Sequence, residues 1–192
     1  MVTSTTSVSR WQRSQFQRLF EEGGVFAYPT ESVFGLGCDP LNPDAVARIL
    51  EIKQRPVEKG MILVAASLEQ LMPWIVLPKG AARRRITTVR AHPTTWLVPA
   101  APDTPHWITG DHTQIAVRIT TFAPVVALCE SVDSPIVSTS ANRAGHPALR
   151  TGIQVRKALG DQLDTIVPGG TGGGVRPSEI VDLKSGAILR KG

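Results

Sequence analysis

An apolar tetrapeptide, Val25-Phe26-Ala27-Tyr28, runs directly into a polar turn, Pro29-Thr30-Glu31-Ser32, and this junction constrains the fold more than any other stretch. A short apolar run bounded by turn residues fits a buried strand. The turn's hydroxyls and carboxylate then stand at the strand's C-terminal end, where open α/β sheets gather their ligands. Val33-Phe34-Gly35-Leu36-Gly37 reads as a glycine-punctuated loop. After it, Asn42-Pro43-Asp44 offers an N-cap and a first-turn proline, and Val46, Ile49, Leu50 and Ile52 recur at helical spacing. Pro56 halts that helix, so Lys53 and Arg55 arrive at its C-terminal end with Lys59 close behind. Taken alone, these cations fit a solvated helix end favoured by the helix dipole.

The rest of the chain alternates in the same way. Apolar residues in the stretch from Trp11 to Glu22, followed by Gly23-Gly24, predict an amphipathic helix with a glycine C-cap. Met61 to Ala65 and Thr94 to Val98 read as strands, with Ser67 and Gln70 as a capping box before a short helix and Lys79 to Val89 as a basic helix. Pro99 to Gly110, with three prolines, reads as a surface loop. In the strand Ile115 to Ile119 a lone Arg118 needs an anionic partner, because an unpaired buried guanidinium is costly. An internal Asp or Glu and a substrate carboxylate both meet that need. Pro124 opens a further helix, and the strand Pro135-Ile136-Val137 ends in Ser138-Thr139-Ser140-Ala141-Asn142, a second cluster of hydroxyls and amides at a strand end. Ser and Asn commonly bond their own backbone, so a capped turn also explains it. Thr151 and Gln154 repeat the capping pattern, and Gly169 to Gly174 is glycine-dense but lacks the Gly-Lys-Ser/Thr of a P-loop. Late strands at Ile166-Val167, Ile180 to Leu183 and Ala187 to Arg190 complete a mixed sheet, which makes an α/β domain the expected class.

At 192 residues one domain is the natural expectation over 11–192, with a flexible tail over 1–10. No run approaches the ~18 apolar residues of a membrane span, and the N-terminus has no apolar signal core, so a cytoplasmic protein is expected. Cys38 and Cys129 make no metal spacing with the four histidines, and read as two reduced thiols. Lys and Arg number 21 against 16 Asp and Glu, a net charge of +5 that suits a polyanionic ligand.

Tyr28-Pro29-Thr30-Glu31-Ser32-Val33-Phe34-Gly35-Leu36-Gly37, then Lys53-Gln54-Arg55-Pro56, then Ser138-Thr139-Ser140-Ala141-Asn142, resemble the YrdC family with its lysine-x-arginine and serine-x-asparagine signature, in its short single-domain bacterial branch. The resemblance implies a twisted mixed parallel/antiparallel sheet with surrounding helices and an open basic cavity. It implies an enzyme, a nucleotidyltransferase that condenses L-threonine, bicarbonate or CO2, and ATP into threonylcarbamoyl-adenylate with release of pyrophosphate. The product would pass to proteins that install N6-threonylcarbamoyladenosine in tRNA, and direct RNA binding is a further expectation.

Carried over position by position, the family pattern assigns ATP to Lys53, Arg55, Lys59, Ser140 and Asn142. It assigns threonine to Thr30, Arg118, Ser140 and Ser178, with Arg118 on the carboxylate. Arg150 or Thr151 is a further nucleotide contact. Mg2+ is expected with ATP, bridging phosphates instead of sitting in a protein cage. Charge builds on phosphorus and on the departing pyrophosphate, so fixed cations are the main need, and no general base is identified. Arg90-Ala91-His92-Pro93 stands where many members carry Trp-Pro-Gly-Pro. The competing reading is a non-catalytic module for double-stranded RNA or tRNA, which the charge fits but which an aromatic content of 5% serves poorly.

Overall fold

The computed structural model describes residues 10–88, 90 and 92–192, so the expected tail over 1–10, apart from Arg10, which opens the first helix, lies outside the described residues, as do Val89 and Ala91. In chain order the elements are α1 (Arg10–Glu21), β1 (Phe26–Pro29), β2 (Phe34–Gly37), α2 (Pro43–Lys53), β3 (Ile62–Ala65), α3 (Leu68–Leu71), α4 (Ala81–Thr87), β4 (Thr94–Pro99), α5 (His106–Thr109), β5 (Gln114–Ile119), α6 (Ala123–Val132), β6 (Ile136–Ser140), α7 (Gly152–Leu159), β7 (Thr165–Ile166), β8 (Glu179–Asp182) and β9 (Ile188–Arg190). The strands join in the order β7-β1-β2-β6-β3-β5-β4-β8-β9. Parallel pairs (β3 with β5, β4 with β8) sit among antiparallel ones (β1 with β2, β3 with β6), giving the expected mixed α/β sheet. No helix of the described residues is long and apolar enough to cross a membrane.

Local chemistry sets the helix bounds. Asn42 Oδ1 accepts from the Ala45 amide at 3.0 Å, Pro43 opens α2, and Gln54 ends it in the left-handed region at φ 51°. Gly23 at φ 76° closes α1. The Thr151–Gln154 capping box forms in full. The Ser67–Gln70 box does not. Gln70 instead accepts from the Ala66 amide at 2.9 Å and donates to the Cys129 carbonyl at 3.1 Å, tying α3 to α6. The expected surface loop before Gly110 contains α5, held by the fully buried Ile108, and the basic helix is shorter than expected, ending at Thr87.

Alternation along the strands divides the core in two. Val25, Ala27, Phe34, Leu36, Leu63, Val117 and Val137 pack on one face with Ile49 of α2 and Ile108 of α5. On the other face Phe26, Tyr28, Val64 and Ile136 pack with Phe16 and Phe20 of α1 and Val125, Leu128 and Cys129 of α6. Burial pushes both thiols up, Cys129 to about 12, so neither is a ready nucleophile at neutral pH.

The stretch expected as a glycine loop is strand β2, paired with β1 on one side and β6 on the other. Phe34 and Leu36 enter the first core, which places Gly35 and Gly37 on the opposite face. There the Tyr28 ring lies across both. A Cβ at Gly35 would meet Tyr28 Cζ at 3.1 Å, and one at Gly37 would meet Phe26 Cε2 at 2.8 Å and Tyr28 Cε1 at 2.9 Å. Gly37→Ala is therefore expected to destabilise by about 1–3 kcal/mol through overpacking. At roughly 2–4 °C per kcal/mol for a chain of this size, a thermal unfolding scan reads that loss directly. An unchanged melting temperature would contradict it.

Candidate active site

Helices α1 and α6 cover only part of the second face of the sheet. The uncovered part, with Ile62, Ala116, Leu97 and Ile180 on its strands, floors a cavity of about 730 Å³. Eight of the residues singled out in the sequence line it: Thr30, Lys53, Arg55, Lys59, Arg118, Ser140, Asn142 and Ser178. They come from five segments of the chain. Arg190 of β9 adds a fifth Lys or Arg to the lining, against Asp111 as the one acidic lining residue among the described residues.

At one end α2 delivers its last residue under the loop that follows β6. Lys53 is buried, and its Nζ donates to the carbonyls of Ser140 (2.5 Å) and Asn142 (3.0 Å) and to Asn142 Oδ1 (3.3 Å). All three ammonium donors are thus engaged by protein oxygens. Ser140 Oγ donates to Asn142 Oδ1 at 2.6 Å, and Asn142 Nδ2 donates to the carbonyls of Arg143 and His146. The serine-x-asparagine motif is therefore a self-bonded turn, clamped from below by Lys53. Burial, and secondarily the charge of Arg55, lower the Lys53 pKa from 10.5 to about 8.

Arg55 donates from Nη2 to the carbonyls of Lys59 and Gly60, both at 3.1 Å, and so braces the single 3₁₀ turn Val57–Lys59. Among the described residues its Nε and Nη1 have no protein partner, and Lys59 is exposed at the rim. Helix α5, hidden in the sequence behind its prolines, fixes this turn: Met61 donates to the Ile108 carbonyl and Asp111 to that of Glu58. Contact is close enough to require Gly60 at φ 60°, since a Cβ there would lie 2.7 Å from the Thr109 carbonyl.

At the other end Arg118, 9% exposed, projects from β5 towards Glu31. Nη2 and Oε2 are 3.3 Å apart, close enough for charge attraction, yet their alignment leaves Oε2 without a hydrogen bond. Arg118 Nε is likewise buried with no partner. Thr120 Oγ1 donates to Glu31 Oε1 at 2.7 Å. The expected internal partner of Arg118 is thus a turn residue 87 positions earlier, and Glu31 is committed to two groups. Thr30 closes its own turn, its hydroxyl donating to the Val33 carbonyl at 2.7 Å. The glycine run lies over that turn, with Gly172 donating to the Thr30 carbonyl and Gly174 to that of Glu31.

Ser178 shares a hydrogen with Thr95 at 2.8 Å, and Arg190 Nη2 donates to the Ser178 carbonyl at 2.9 Å. Sequence reasoning missed Arg190, which ends an apolar run and pairs in register with Ile180 of the cavity floor. Neither Arg150 nor Thr151 lines the cavity. Arg150 holds the carbonyl of Val175, and Thr151 caps α7. In the departure at 90–93, Arg90 pairs with Glu179 at 3.0 Å and lies over the Trp96 ring.

A model of the Sua5/YciO/YrdC family, described as "Telomere recombination", matches residues 18–192. The threonylcarbamoyl-AMP synthase of Vibrio campbellii is 46% identical over 181 residues, which are 93% of this chain and 97% of that protein. That of Klebsiella pneumoniae is 49% identical over 170 residues, 88% of this chain and 89% of that one. Among solved structures, P. abyssi Sua5 complexed with L-threonine matches with a TM-score of 0.87 at 30% identity, over 96% of this chain. This chain spans about half the length of that protein, 55%. The matched span contains every cavity residue named above, on the same mixed sheet, and on both counts the chain belongs to the Sua5/YciO/YrdC family.

Proposed function

We propose that the chain is a threonylcarbamoyl-AMP synthase, which joins L-threonine, bicarbonate or CO2, and ATP into threonylcarbamoyl-adenylate and releases pyrophosphate. The observation that carries this reading is the convergence of Lys53, Arg55 and Lys59 at one end of a single cavity with Arg118 at the other. A cavity built that way suits a polyphosphate at one end and a carboxylate at the other. Names of relatives that share 46–49% of their residues across most of the chain agree with it.

Each residue has a role in that reaction. Arg55 and Lys59 hold the phosphates, Arg55 through the guanidinium nitrogens not spent on the turn. Lys53 binds no phosphate directly while its three donors are engaged. It holds the Ser140–Asn142 turn in place and sets a positive charge beneath it. Arg118 takes the threonine carboxylate through the part of its guanidinium that lines the cavity, with Thr30, Ser140 and Ser178 around the amino acid. Mg2+ would come with ATP and would add positive charge at the phosphates, since among the described residues the lining offers one carboxylate, that of Asp111, and no group of three or more His, Cys, Asp or Glu forms a protein cage.

A carbamate oxygen on the threonine nitrogen attacks the α-phosphorus, and pyrophosphate leaves. Fixed cations hold the charge that develops on phosphorus and on the leaving group. Glu31 is occupied by Arg118 and Thr120, so rate enhancement rests on positioning and charge more than on a dedicated base. In the cell the product passes to cytoplasmic proteins that modify tRNA. Incubation with 13C-bicarbonate, threonine and ATP followed by mass spectrometry tests the reading. A labelled threonyl-carbamoyl adenylate is expected; an unlabelled adenylate, or none, would sink it.

A further inference from the structure

One hydroxyl on the cavity floor is oriented from behind. Tyr28 is fully buried and donates its phenolic hydrogen to Ser138 Oγ at 2.6 Å. Burial pushes the phenol up, so it keeps that hydrogen at neutral pH. Ser138 Oγ therefore accepts, and its own single hydrogen must point elsewhere. Among the described residues no acceptor receives it, and Ser138 lines the cavity. The result is a directed donor facing the ligand space.

The sheet is built to allow this contact. Tyr28 is on β1 and Ser138 on β6, with β2 between them. The ring reaches across β2 only because Gly35 and Gly37 present no side chain on that face, each position lacking room for a Cβ. Thus the two glycines and the phenol are one device with Ser138 at its tip.

Strand register says what lies over that tip. Ser138 is two residues before Ser140, whose carbonyl holds Lys53, and so lies beside the phosphate end. Laterally it faces Ile62, which faces Ala116, two residues before Arg118 on β5. Ser138 therefore stands between the two cationic ends. With phosphates at one and the threonine carboxylate at the other, the group that bridges them is the one-carbon carboxylate on the threonine nitrogen. We propose that Ser138 is the binding residue for that carboxylate, as bicarbonate or as the carbamate formed from it, and that Tyr28 is its positioning residue. The assignment rests on the synthase reading above. Holding one oxygen at Ser138 leaves the other free to approach the α-phosphorus, and the pair itself makes and breaks no covalent bond.

Tyr28→Phe keeps the ring in its glycine notch and releases the Ser138 hydroxyl. In the full chain it is expected to raise the apparent KM for bicarbonate by about tenfold, the scale of one lost hydrogen bond, with calorimetric affinities for ATP and threonine unchanged. Ser138→Ala should do at least as much. Adding Tyr28→Phe to Ser138→Ala should then change nothing further, since the phenol acts through the serine. Additive effects, an unchanged bicarbonate KM, or an equal loss of ATP and threonine affinity would overturn the proposal. Should the wild-type chain itself release no pyrophosphate in response to bicarbonate, the synthase reading fails and this subsite with it, a result distinct from any difference between variants.

Discussion

Arg118→Ala is expected to raise the threonine KM by about a hundredfold while leaving ATP affinity within a few-fold of wild type. A carboxylate held by a guanidinium fork gains roughly 3 kcal/mol from two charge-assisted hydrogen bonds, which is the hundredfold. Arg118 is buried, so solvent does little to replace it, and its side chain lines the cavity beside Glu31. Removing it also strips Glu31 of its charge partner, leaving Thr120 alone against Oε1. Some stability is lost with it. Glu31→Gln separates the two effects, because the amide oxygen still accepts from Thr120 while the negative charge is gone. That variant is expected to keep turnover within about tenfold, well short of the 10²–10⁴-fold that general-base catalysis contributes. Steady-state kinetics against threonine and ATP checks both; a turnover collapse in Glu31→Gln with binding intact would make Glu31 a base.

Lys53→Met should lower pyrophosphate release by about 10²–10³-fold, the scale of removing one preorganised electrostatic group. Methionine fills similar space, so the loss is of charge and of three hydrogen bonds, not of packing. The carbonyls of Ser140 and Asn142 are left facing a thioether, and the turn they form loosens. Lys53→Arg should fail to rescue, since three bonds converge on one nitrogen and a planar fork spreads its donors. Burial gives the position a pH signature. With its pKa lowered to about 8, the ammonium is complete well below that pH and is lost as pH rises through it, so ATP affinity weakens above about pH 8. Folding stability responds in the opposite sense. The unfolded chain keeps this proton up to the ordinary value of 10.5, so between about 8 and 10.5 it binds more protons than the folded chain. Across that window stability from this group rises with pH, and the burial penalty is fully present below it.

Much of the site was legible because its chemistry is local. Asn42, Pro43 and Pro56 bound α2, and that alone brings Lys53 and Arg55 to the end of a helix. The need of Arg118 for an anion follows from the cost of burying it, but the partner's identity does not, since Glu31 meets it only through the curl of the sheet. Strand β2 was hidden for a similar reason. Phe34-Gly35-Leu36-Gly37 alternates as a strand does, yet its glycines answer to the Tyr28 ring of a neighbouring strand, and sequence periodicity carries no trace of that neighbour. Helix α5 was masked by the prolines around it, although Pro105 is what starts it. The two capping boxes show the limit of a local signature. Thr151 and Gln154 close on each other, whereas Gln70 turns to its neighbour Ala66 and, across the fold, to Cys129. Lys53, expected on a phosphate, is seen holding the turn that the phosphates would meet.

The central claim, that one cavity joins threonine to ATP through a one-carbon unit, is tested most directly by pyrophosphate release. The assay compares ATP with bicarbonate alone, with L-threonine added, and with L-serine in its place. Release that requires both bicarbonate and threonine, is weaker with serine, and disappears in Arg55→Ala is the result expected. Release indifferent to threonine or to bicarbonate, or undiminished in Arg55→Ala, would contradict the account.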